Sequence, residues 1–118
     1  MLTTSLWASA LIRRAELSGA FAAVVQKGDA ERGDIVVKVA TLDGRARLYS
    51  KTRLLSGDVG FIDLSVQGVG PDEGDVDAYC QRLLARDPDL WIIEIEDRAG
   101  RHFLTETVEM GNKPVDPN

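Results

Sequence analysis

Cysteine is almost missing from this sequence, and the shortage excludes a good deal. With Cys80 alone, no intrachain disulfide can form and no zinc site built on several cysteines can exist. Histidine is equally scarce, so any nucleophilic triad would have to use His102, the only one. Aromatic side chains are few (2 Trp, 2 Tyr, 3 Phe), which points to an aliphatic core. No apolar run approaches the roughly 20 residues needed to span a bilayer. The apolar start MLTTSLWASALIRR lacks a basic region before its apolar run, and its arginines come after. The expectation is a cytoplasmic protein with no membrane segment. A basic surplus is lacking too. The net charge of −5 disfavours a phosphate-tracking surface, which needs clustered Lys and Arg, and suits solubility instead.

What is present suits one α+β domain. A chain of 118 residues can bury roughly two-thirds of its unfolded surface without staples. A first helix is predicted from Leu6 to Ser18, with Trp7, Leu11 and Ala15 on one stripe and Gly19 as its stop. Residues 2–6 read equally as a short strand or as helix. AFAAVVQ and IVVKVA are of strand length, and Asp43-Gly44 is a tight-turn dipeptide leading into RARLYS. Residues 20–50 therefore read as a three-stranded meander. VGFIDLSVQ predicts a fourth strand, with Gly60, Ile62, Leu64 and Val66 turned inward. Pro71 suits a first helical turn, and the acids after it favour the positive end of a helix. Val76, Tyr79, Cys80, Leu83 and Leu84 then give the cleanest helical stripe, which must end before Pro88.

Trp91 to Phe103 predicts a closing hairpin with the loop Arg98-Ala99-Gly100, setting Ile95 against Phe103 and Glu96 against His102. The order is α-β-β-β-β-α-β-β. It predicts a largely antiparallel sheet of five to six strands with two helices packed on one face. The domain should span residues 1–108, and the tail from 109 to 118, rich in Pro, Gly and Asn, should be disordered.

Candidate chemistry is sparse. Glu94, Glu96 and His102 would share the outer face of the closing hairpin, enough in principle for a metal or acid–base site. Carboxylates two residues apart on a strand stand about 6.6 Å apart and point in parallel, so they converge only under a cover. A wet face with cross-strand charge pairs worth about 0.2–1 kcal/mol each is the better reading, and no metal is assigned. Arg13, Arg14, Arg45 and Arg47 would form a small anion- or RNA-binding patch if the first helix lies beside the first hairpin. Cys80 falls in an apolar stripe and reads as a buried structural thiol. KGDAERGD has two glycines at suggestive spacing, but no GxxxxGK[ST] ending and a strand after it, so it is no phosphate loop.

The segments DPDLWIIEIEDRAGRHFL, SLWASALIRRAELSGAFAAVV and KVATLDGRARLY resemble the alphaproteobacterial domain-of-unknown-function family 1491. The resemblance covers nearly the whole ordered chain. It implies a small, stand-alone, cytoplasmic bacterial protein, and it brings no catalytic residues and no cofactor. The leading expectation is a non-enzymatic domain that binds a protein partner or itself, with a homodimer favoured because a sheet ends in unpaired edges. The alternatives are a small enzyme using Glu94, Glu96 and His102, or anion or RNA binding by the four arginines.

Overall fold

The computed structural model describes residues 2–110. In chain order it contains α1 (Thr4–Leu17), β1 (Phe21–Gln26), β2 (Ile35–Ala40), β3 (Ala46–Arg53), β4 (Val59–Asp63), α2 (Glu73–Arg86), β5 (Trp91–Glu96) and β6 (Val108–Met110). A single six-stranded sheet runs β1-β5-β2-β3-β4-β6. It is mixed and mostly antiparallel: β5 pairs parallel with β2, β6 pairs parallel with β4, and the other pairings are antiparallel. The α+β class expected from the element order is the one observed. The expected tail from 109 to 118 lies outside the described residues except for Glu109 and Met110, which belong to β6.

Both helices have clear local causes. Thr3 caps α1 by accepting from the Leu6 amide, so the open choice over residues 2–6 resolves to helix from Thr4. Ala8, Leu11 and Ala15, spaced three and four apart, are its buried stripe. Asp72 caps α2 by accepting from the Asp75 amide, and Val76 and Cys80 are its buried residues. Pro71 lies just outside the helix, one residue before that cap, rather than in its first turn.

The helices do not share a face, which corrects the expectation. Ile35, Val37 and Val39 of β2 join α1's residues Ala8, Leu11 and Ala15 in one core cluster. Val36 joins α2's residues Val76 and Cys80 in another. Because alternate residues of a strand point to opposite faces, α1 and α2 cover opposite sides of the sheet. Every residue of β2 is buried, as suits a central strand covered on both faces.

Two neighbour assignments also change. The β2–β3 hairpin exists, with Ala40 opposite Ala46 and Lys38 opposite Leu48. The meander does not, because β5 inserts between β1 and β2. The closing hairpin is absent for the same reason: both hydrogen-bonding edges of β5 are already taken, leaving none for residues 101–103. Instead Asp97 accepts from the Arg101 amide and guanidinium, turning the chain sharply. Residues 101–107 then form an irregular strap across the α1 face. Leu104 is buried in that core, Phe103 packs beside it, and the strap ends in β6 at the far edge.

The fourth strand is shorter than VGFIDLSVQ suggests, and both of its faces are covered rather than one: Ile62 packs against the α2-side core as its spacing suggests, and Phe61 is buried on the other side. Asp63 stops it by capping a 3-10 turn at Leu64–Gln67 through the Ser65 amide. Phe61 is a core residue on the α1 face, stacked on Trp7 with centroids 5.5 Å apart.

Candidate functional site

The most concentrated chemistry in the fold is a charged cluster under α2. Lys38 is the one polar residue in the apolar run of β2, and its side chain is only 6% exposed. Glu94 lies opposite it across the parallel β2–β5 ladder. Glu73 and Asp77, four residues apart, come down from the first turns of α2. Each of the three carboxylates lies 2.7 Å from Lys38 Nζ. An ammonium has three N–H donors, and here each has a carboxylate to receive it. Burial on its own would lower the Lys38 pKa. The hydrogen bonds to Asp77, Glu73 and Glu94 outweigh it and hold the ammonium above the ordinary lysine range. Such a lysine has no free lone pair with which to act as a nucleophile or base. It clamps α2 to the sheet. Beside it, burial first and the Asp77 charge second push the Cys80 thiol up to about 11, the opposite of an activated nucleophile.

The three residues read from the sequence as one polar face are not brought together. Glu94 and Glu96 share a strand parity, and Glu94 points to the α2 face with Lys38. His102 lies on the α1 side, edge-on to Tyr49 at 5.1 Å between ring centroids. The sheet stands between them. The cause is the missing hairpin: residue 102 belongs to the strap, not to a strand paired with β5. Among the described residues no group of three or more His, Cys, Asp or Glu side chains is disposed to hold a metal ion.

His102 has a structural task. Its Nδ1 accepts the Leu104 amide at 2.9 Å, and burial lowers its pKa, with the nearby Asp63 opposing. A histidine kept neutral by folding contributes stability that is full above its unfolded pKa of about 6.5 and is lost as pH falls below it. Urea denaturation should therefore give a lower unfolding free energy at pH 5 than at pH 7.5. The difference should shrink in His102→Gln. An equal difference in that variant would remove His102 as its source.

The arginines divide. Arg45 and Arg47 line a cavity of about 280 Å³ together with Arg98 and Asp43. Arg47 is paired with the buried Asp63 at 2.8 Å. Arg14 is elsewhere, its Nε donating to the Phe103 carbonyl of the strap, and Arg13 is exposed on α1. The expected four-arginine patch is thus a two-arginine rim joined by Arg98.

The glycines of KGDAERGD serve close packing. A Cβ on Gly28 would overlap the Asp89 carbonyl, and one on Gly33 would strike the Trp91 indole.

The surface feature with most to say about association is β1. It is an outer strand, paired on one side only with β5. Its sequence, FAAVVQ, has no charge and no proline, the usual guards of an edge. A bulge between Val24 and Gln26 is its only local irregularity. Phe21 is 58% exposed and Val25 57%, and Leu17 at the end of α1 is 75% exposed just before the strand.

The fold is that of an α+β protein: a mixed six-stranded sheet with one helix on each face. The chain belongs to the family described as "Protein of unknown function (DUF1491)", whose model matches residues 2–105. It is similar to a DUF1491 family protein from Caulobacter crescentus in its crystal structure, at 49% identity and a TM-score of 0.84, over 92% of this chain and 100% of that one. An NMR structure of a DUF1491 family protein from the same organism gives 50% identity and a TM-score of 0.80, over 92% and 96% of the two chains. A solution structure from A. tumefaciens, at 29% identity, gives a TM-score of 0.74 over 96% of this chain and 97% of that one. A comparison with functionally curated proteins finds no match. No helix among the described residues is long and apolar enough to cross a membrane.

Proposed function

We propose that this chain is a non-enzymatic cytoplasmic domain that associates with a second copy of itself through the β1 edge. The observation that carries the reading is the unguarded strand FAAVVQ with Phe21 and Val25 more than half exposed and Leu17 alongside. Pairing two such edges would satisfy the open row of backbone N–H and C=O groups and remove apolar surface from water together. The main cluster of buried charge supports the non-enzymatic half of the proposal, since all of Lys38's protons are engaged in holding α2. Light scattering at high micromolar concentration should give the mass of a dimer. Val24→Lys, which places a charge on the edge without disturbing the buried Ala22, should give the monomer mass with an unchanged circular dichroism spectrum. A wild-type monomer at that concentration would sink the reading. A second reading, capture of a small anion, is favoured by one observation: among the described residues the Arg45 and Arg98 side chains in the shared cavity have no ion-pair partner.

A further inference from the structure

Where β2 turns into β3 the molecule carries a recess of about 280 Å³, walled by Thr41, Asp43, Arg45, Arg47, Pro71 and Arg98 among others. Three arginines meet there from two parts of the chain. Arg45 and Arg47 stand at the start of β3, and Arg98 comes from the turn that follows β5. All three are exposed, so a solute can reach them. Their backbones or partners hold them at the rim. The Arg45 amide donates to Asp43 Oδ1. Arg47 Nη1 donates to Asp63 Oδ2 at 2.8 Å, and the other oxygen of that buried carboxylate accepts the Ser65 amide. Asp63 therefore fixes Arg47 while occupying only one of its N–H donors. Arg98 lies within the turn that the Asp97–Arg101 pair closes. Among the described residues neither Arg45 nor Arg98 makes an ion pair. One acid lines the recess, Asp43, and its Oδ1 already accepts the Thr41 hydroxyl as well as the Arg45 amide. The surplus charge of the lining is positive, on a chain whose net charge is −5.

We propose that this recess binds a small phosphomonoester. The inference rests on the anion-capture reading above and gives that anion its chemical class. A guanidinium presents a planar fork of N–H groups that matches the oxygens of a phosphate. Forks from three sides suit a phosphoryl group, which offers three terminal oxygens and close to two negative charges at neutral pH. A carboxylate offers two oxygens and one charge, which a single fork satisfies. The volume sets the size of the rest of the molecule. It falls just under the roughly 300 Å³ at which sites for drug-sized ligands begin, so the ester's body is a few carbons, lying against Pro71. The β1 edge contributes no residue to this recess, so dimerisation and ester binding stand or fall separately.

The test is isothermal titration calorimetry of the full chain at pH 7.5 and low salt. The probes are glycerol 3-phosphate, inorganic phosphate, succinate and glycerol. Glycerol 3-phosphate should bind saturably at a single site, more tightly than inorganic phosphate and succinate, and glycerol should not bind. Inorganic phosphate binding as tightly as the ester would overturn the ester in favour of free phosphate. Succinate binding as tightly would overturn the phosphoryl class and leave anion capture standing. No heat from any of the three anions would remove both. Arg45→Gln and Arg98→Gln, at exposed positions, should each weaken glycerol 3-phosphate by about tenfold, the scale of one hydrogen bond to a charged group. Arg13→Gln removes an equal charge from α1, outside the recess, and should leave binding unchanged. Undiminished binding in both recess variants, or an equal loss in Arg13→Gln, would overturn the site.

Discussion

Lys38→Met should lower the unfolding free energy by about 3–5 kcal/mol, the range for removing one partner from a buried ion cluster. The loss comes less from the missing bonds than from what stays behind. Glu73, Asp77 and Glu94 all converge within 2.7 Å of the lost ammonium, and without it three carboxylates face one another under α2. Their side chains are 34%, 56% and 29% exposed, so Glu73 and Asp77 can swing towards water while Glu94 is the most confined. Lys38→Met combined with Glu94→Leu should therefore recover part of the stability lost by Lys38→Met alone. Urea denaturation of the two variants measures both. If Lys38→Met costs less than about 1 kcal/mol, the scale of an exposed pair, the cluster is not a buried clamp.

Trp91→Ala should cost a similar amount, about 3–5 kcal/mol, by opening a cavity beneath α1. Trp91 is 3% exposed, in the same cluster as Leu11 and Ile93. Its indole N–H also donates to the Asp29 carbonyl at 2.7 Å, tying the β1–β2 connection to the start of β5. The substitution removes packing and that tie together. Trp91→Phe keeps most of the ring volume but no donor, and should fall between wild type and alanine. Equilibrium urea titrations followed by far-ultraviolet circular dichroism check the order. A Trp91→Ala variant as stable as wild type would mean that this ring is not a core anchor.

These cases show what periodicity reveals and what it leaves open. The α1 and α2 stripes were legible because a helix's buried face is a property of its own residues: Ala8, Leu11, Val76 and Cys80 fall where their spacing puts them. The β2–β3 hairpin was legible because Asp43-Gly44 is local turn chemistry, and Gly44 adopts a positive φ of 84° there. Which strands become neighbours is not local. The alternation in WIIEIE correctly separates Trp91, Ile93 and Ile95 from Ile92 and Glu94, yet it says nothing of β1 and β2 closing on both sides. Hence Glu94, read as wet, lies against a buried lysine. Lys38 itself carries a signal in the sequence. A lone cation within an apolar strand needs buried partners, and Glu73 and Asp77 stand at helical spacing for one face of α2. The strap had no such signal. Its path depends on the Asp97–Arg101 pair and on Phe103 at a positive φ of 59°, features that no hydrophobic rhythm reports.

The seat of β5 bears on the order in which the molecule can be made. As the chain leaves the ribosome, β1 and β2 emerge long before the strand that must join them, and nothing earlier in sequence fills the slot between. Their alignment waits for residues 91–96, so the sheet cannot close outward from the amino-terminal half. Pairings between segments so distant in sequence are the slow ones in folding, and until they form, both flanking strands stay open to other chains.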